Sequence, residues 1–400
     1  MLLLRELGRN NRLLMLALFI WALGEGLWFN LRQLYLAELG ATPVQVGTAL
    51  AIESIARGAL LIPAGYLSDR FGPYRVVVAS WLLGVIGPLL MAPAPGWQWA
   101  IPGMAIYAMS AFALPSVSAY ALLSLPDKTS PGINQRALTA LFAAYPAGLI
   151  LSPTLGGLIA DAASVRACLW IAAGVFGLST LVLLRAGPVP PAAAQHGERP
   201  ADLFRNRSYL VVATYYSLAA FVYLIGYMLA PNFLQDVRGF SYGSIGLLFS
   251  LMSLGTVVLN LVIGRVDRRW SYALILALIW LALGLLWQAR SLTLSGLGFF
   301  ALGAIWSART LAIAGVSAVV PPRSRGLAFG VVDTLYSLAI AGASWAAGAL
   351  YSRTPAHDLP FQAALIGLPA LVALWALTIR SIQYPAEPTA DAALLAASGE

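Results

Sequence analysis

Apolar runs of about twenty residues, parted by short clusters of charge, glycine or proline, recur from one end of the chain to the other. A run of that length is what a helix needs to cross a hydrocarbon layer about 30 Å thick, and a helix satisfies its own backbone polar groups where no water is present. The pattern predicts twelve spans, near 13–36, 44–68, 75–95, 97–124, 136–160, 166–185, 207–233, 242–265, 270–289, 292–320, 325–351 and 360–380. The run that follows the basic segment Met1 to Arg12 is too long for a signal-peptide core and lacks a small-residue cleavage site, so span 1 is expected to remain in the mature protein.

A polar stretch with Pro188, Pro190, Pro191 and Pro200 falls at the centre and reads as a linker. The predicted fold class is therefore an all-α membrane protein of two six-helix bundles. Residues 1–186 form the first bundle, 187–205 a cytoplasmic linker, 206–380 the second bundle, and 381–400 a flexible cytoplasmic tail.

Composition narrows the function. Hydrophobic residues make up 60% of the 400 and charged residues 10%, where a soluble domain carries about 25% charge, and this excludes a soluble enzyme. No GxxxxGK[ST] loop is present and no polar stretch is long enough for a nucleotide-binding domain, so ATP is excluded as a driving force within this chain. The single Cys168 precludes an internal disulfide. The two histidines, His196 and His357, both lie in polar connections, so neither a metal site nor a cofactor is expected.

The net charge of +8 reports loop orientation rather than nucleic-acid binding. With both termini in the cytoplasm, 17 of the 24 Lys and Arg fall on that side; four fall outside, at Arg166, Arg238, Arg290 and Arg353, and three lie within spans. The positive-inside bias selects this orientation, as expected for a bacterial inner or plasma membrane.

Residues 47–72 align without gaps on 246–271, pairing Gly47 with Gly246, Gly65 with Gly264 and Arg70 with Arg269, which points to duplication of a six-helix unit. Between spans 2 and 3 the sequence Gly65-Tyr66-Leu67-Ser68-Asp69-Arg70-Phe71-Gly72-Pro73-Tyr74-Arg75 resembles the signature loop of the major facilitator superfamily. In that family the loop gates the cytoplasmic face, so the resemblance assigns a gating role to Gly65, Asp69, Arg70, Gly72 and Arg75. Asp69 is suited to face a helix N-terminus, which the resemblance places at span 11, and Gly72 to make a tight turn. Pro73 and Tyr74 stand where the family commonly has basic residues. In span 5, Gly148, Pro153, Gly156 and Gly157 are similar to the glycine and proline motif of the family's drug and proton antiporters, with Ser152 in place of a usual glycine. The same residue types also serve ordinary helix packing. The arginine that many such antiporters carry in span 4 is missing.

Six ionisable residues fall inside the predicted spans: Glu25, Arg32, Glu53, Arg57, Arg309 and Asp333. Each unpaired charge at mid-membrane costs about 2.5 to 3.5 kcal/mol on insertion scales, so mutual neutralisation is expected. Antiparallel neighbours lie level when their position numbers sum to twice the loop midpoint. Around residue 40 that sum is 80, and Glu25 with Arg57 gives 82 while Arg32 with Glu53 gives 85; Arg309 with Asp333 gives 642 against 645. Two readings stay open. These are fixed structural bridges, or at least one carboxylate, Glu25 first, exchanges a proton during transport.

The resemblance places spans 1, 4, 7 and 10 around a central cavity. Trp21, Trp28, Tyr107, Tyr216, Tyr223, Tyr227 and Trp306 are its expected lining, suited to a lipophilic or amphipathic organic solute. The expected activity is secondary transport of a small molecule by a monomer in the lipid bilayer, with protons as coupling ion and export as direction. Uptake of an organic anion or nutrient is the alternative within transport, and a transport-inactive receptor or scaffold is the alternative of another class.

Overall fold

The computed structural model of the 400-residue chain describes residues 7–126, 133–189, 200–263, 268–321 and 324–378; at some helical positions, Gly65 and Asp69 among them, it describes the backbone alone. Among these residues there are twelve helices long and apolar enough to cross a membrane, and no strand. They are α1 (Gly8–Glu38), α2 (Pro43–Phe71), α3 (Pro73–Met91), α4 (Trp97–Leu123), α5 (Ile133–Ala162), α6 (Val165–Leu184), α7 (Arg207–Asp236), α8 (Tyr242–Ile263), α9 (Arg268–Gln288), α10 (Leu292–Val319), α11 (Arg325–Tyr351) and α12 (Leu359–Thr378).

Short polar side chains set several helix starts. Thr42 and Gln45 form a reciprocal capping box before α2, with Gln45 Oε1 accepting from the Thr42 backbone N–H at 2.8 Å. Ser164, Asn206 and Ser291 accept from the third residue beyond them at the starts of α6, α7 and α10. The α2–α3 corner turns at Gly72, whose φ of 82° is open to glycine at little cost, and Pro73 then opens α3 where its missing N–H goes unneeded.

Four spans that the hydropathy pattern predicts as continuous are interrupted. α1 changes to a 3-10 turn at Phe29–Leu31, α4 at Ser110–Ala113, α7 breaks at Leu229 beside Pro231, and α10 at Gly303. These are the first member of each successive group of three helices. Hydropathy registers only that a segment is apolar, so a break inside it leaves no trace in the pattern.

The two bundles meet where α2 packs on α11 and α5 on α8. A Cβ on Gly47 would collide with the carbonyl oxygen of Ser344, and one on Gly157 with that of Tyr242. Both contacts lie toward the face opposite the chain termini, because α2 and α8 begin there and α5 and α11 end there. The expected linker differs in part from what is observed: Pro200–Arg205 is a short helix leading into α7, and Gly187 is pinned by Asn10 and Tyr120. Residues 190–199 and the tail 381–400 lie outside the described residues.

Candidate functional site

Two of the three expected ion pairs close. Arg32 Nε lies 3.0 Å from Glu53 Oε2 in an almost fully enclosed setting, with the guanidinium also 3.8 Å above the Phe29 ring at the α1 break. Arg309 holds Asp333 through two nitrogens at 2.9 to 3.2 Å, a fork geometry that lysine would not supply, with about a quarter of each side chain exposed.

The third pair stays open. Glu25 Oε2 accepts from the Tyr145 hydroxyl of α5 at 2.7 Å, and the Trp21 indole and Tyr107 hydroxyl also face its carboxylate. Arg57 is within electrostatic reach of Glu25, Tyr145 and Tyr336, yet forms no salt bridge among the described residues. Depth matching therefore places Glu25 and Arg57 in the same region without joining them. A tyrosine hydroxyl from a helix distant in sequence takes the carboxylate instead.

The sequence reading passed over Tyr145. Tyr145, Gly148, Ser152 and Gly156 follow one another at intervals of three, four and four residues, which is one helical stripe. That stripe faces α1: Gly148 abuts the Phe19 carbonyl and Ala22, Ser152 Oγ donates to the Ala22 carbonyl at 3.0 Å, and a Cβ on Gly156 would overlap the Leu27 backbone. Pro153 and Gly157 instead face α8, where a Cβ on Gly246 would meet the Pro153 carbonyl. The small residues of α5 thus form two close-packing surfaces at once, one within the first bundle and one between bundles.

In the second bundle, Tyr216, Tyr223, Tyr272 and Tyr336 border a narrow, partly open cleft, with Arg309 and Asp333 on its wall. Tyr272 and Tyr336 are further residues that sequence reasoning missed, since neither α9 nor α11 was expected to contribute aromatics. Tyr227 is partly exposed and directs its hydroxyl at Met252 Sδ, 3.6 Å away.

The expected lining from the first bundle is placed differently. Trp28 is fully buried, edge-on to Tyr107 at 4.8 Å, and Trp21 packs 4.3 Å from Phe176 and 5.0 Å from Trp81, so these rings fill the inside of the first bundle instead of facing open space. The α1 break turns Trp28 inward, which helical periodicity alone does not foresee. Trp306 is 45% exposed and is not among the residues bordering the cleft. Of the loop residues, Gly72 makes its turn, Arg70 sits 5.4 Å over the Phe71 ring and Arg75 is exposed, whereas the Asp69 side chain lies outside what is described.

Twelve apolar helices around an internal set of charges match known proteins. The sequence model described as Major Facilitator Superfamily matches residues 13–285 and 215–397, nearly the whole chain. The chain belongs to the Major Facilitator Superfamily. The chain is 28% identical over 240 residues to an uncharacterized MFS-type transporter of Mycobacterium tuberculosis, covering 55% of this chain and 54% of the relative. It is 25% identical over 221 residues to the multidrug resistance protein MdtL of Shigella dysenteriae, covering 54% and 55%. The chain thus matches about half the length of these curated relatives. The fold is similar to that of the nucleoside transporter NupG, with a TM-score of 0.76 at 14% identity over 94% of this chain and all of that one. Its twelve helices of membrane-spanning length and its family make the chain an integral membrane protein.

Proposed function

We propose that this transporter exports an amphipathic organic solute by alternating access, driven by protons that exchange at Glu25. The observation that carries the reading is the different state of Glu25: the carboxylates of Glu53 and Asp333 are each committed to an arginine, whereas Glu25 is held by a tyrosine with Arg57 nearby and unbridged. A carboxylate free of a fixed counter-ion is able to gain and lose a proton, and Arg57 is placed to approach it when it is charged. Export is favoured by the name of the MdtL relative. The tyrosines bordering the narrow cleft of the second bundle offer aromatic faces to a solute with an apolar body once the bundles part. In this reading both termini and the central linker face the cytoplasm across a bacterial-type inner membrane, as the basic-residue asymmetry favours, and the working unit is a monomer.

A second reading is favoured by Arg57, because an arginine without a salt bridge is suited to the acidic group of an organic anion. Protonation of Glu25 would then free Arg57 to hold that anion, and proton and anion would travel together.

Proteoliposomes separate the two. Ethidium, a lipophilic cation, should move against an imposed proton gradient if the first reading holds, and 2-naphthalenesulfonate, a permanent anion, should follow the protons if the second does. If the gradient changes the flux of neither probe, the coupling role of Glu25 is wrong.

A further inference from the structure

The face opposite the chain termini carries polar contacts between the bundles that the sequence reading did not anticipate. Asp161, at the end of α5, accepts from the backbone N–H groups of both Tyr242 and Gly243 at the start of α8, at 2.9 Å from Oδ1 and 2.8 Å from Oδ2. The first N–H groups of a helix have no partner within it and carry the positive end of its dipole, so a carboxylate there is well matched. Here that carboxylate comes from the other bundle, 81 and 82 residues away in sequence. The Tyr242 hydroxyl also donates to Glu38 at the end of α1, and Gln33 Nε2 donates to the Met228 carbonyl of α7 at 3.3 Å. Beneath these bonds Gly157 and Gly246 bring the backbones of α5 and α8 together.

We propose that Asp161 is a gating residue of the transport cycle: its carboxylate, docked on the N-terminus of α8, holds the transporter closed at the face away from its termini. Opening that face requires the outer ends of α5 and α8 to part, which breaks both charge-assisted bonds together. Among the described side chains of α5, Asp161 is the one ionisable group that bonds to α8. It is also partly solvent-accessible, so the released carboxylate is rehydrated instead of being stranded, as a gate that must open and close repeatedly requires. The inference holds whichever solute or ion is carried.

Accessibility from each face tests it. Cys168, the buried free cysteine, is replaced with serine, and Ser217, which borders the cleft, is changed to cysteine as the reporter. The full chain is reconstituted in one orientation and treated with a membrane-impermeant maleimide from either side. Asp161→Asn keeps a neutral acceptor at the helix end, and Asp161→Ala keeps none. Labelling from the face away from the termini should rise in the order parent, Asn, Ala, by about tenfold for Ala as two charge-assisted hydrogen bonds are lost, while labelling from the termini face falls. The reciprocal fall is what a gate predicts, because the two openings exclude each other. Unchanged labelling in both variants overturns the proposal, and so does a rise from both faces, which would mean that Asp161 only stiffens the protein.

Discussion

The Tyr145 hydroxyl donates to Glu25 at 2.7 Å, joining α5 to α1 in the interior of the first bundle, while Arg57 stands close by without bridging to either. Glu25→Gln keeps the shape of the acceptor and removes the exchangeable proton. Ethidium movement should then lose its dependence on the proton gradient while binding of ethidium, followed by its fluorescence, stays within about threefold of the parent. Tyr145→Phe should leave the carboxylate without its hydroxyl and cost about 1 to 3 kcal/mol of stability. Retained coupling in Glu25→Gln would move the proton site to Asp333.

The two closed pairs differ in enclosure, with Arg32 and Glu53 each about a tenth exposed and Arg309 and Asp333 about a quarter. Removing one partner strands the other in a setting of low polarity, so Glu53→Gln should destabilise by roughly 3 to 5 kcal/mol and Asp333→Asn by less, about 2 to 3 kcal/mol. Thermal unfolding in detergent reads the ranking. Arg32→Leu combined with Glu53→Leu should recover most of the loss, because a hydrophobic pair leaves no stranded charge. Equal losses for the two single variants would count against burial as the cause.

Glycines on the two faces of α5 should respond differently to bulk. Gly148→Val overpacks the contact with α1 inside one bundle and should cost about 1 to 3 kcal/mol of thermal stability. Gly246→Val meets the Pro153 carbonyl across the interface between bundles, which can relieve the clash by parting. It should therefore cost less stability and raise reporter labelling at Ser217→Cys from the face away from the termini. A larger stability loss for Gly246→Val would show that the bundles do not part there.

Orientation and the signature loop are checked by the same chemistry. A cysteine at position 196, in a chain with Cys168 replaced, should resist an impermeant maleimide applied outside intact cells, as the basic-residue asymmetry requires. Asp69→Asn should raise cleft labelling from the termini face, since Asp69 is proposed to steady the closed state there through the start of α11. Unaltered labelling with normal flux would reduce the loop to the turn made by Gly72.

Twelve spans, their division into two sets of six, the membrane setting and the family were legible in the sequence, because transfer of apolar segments out of water depends on composition over about twenty residues and not on what the segment touches. The pairings Arg32–Glu53 and Arg309–Asp333 were also legible, since adjacent antiparallel helices fix depth by residue count. Tertiary structure decided the rest. Only the packing of α5 on α1 gives Glu25 to Tyr145 instead of Arg57, only the break after Gly26 turns Trp28 into the bundle, and only the meeting of α5 with α8 brings Asp161 to a helix end more than eighty residues away. Each depends on which face of a helix meets which neighbour. In a membrane every face is apolar enough to be tolerated, so the sequence carries little record of that choice before the helices pack.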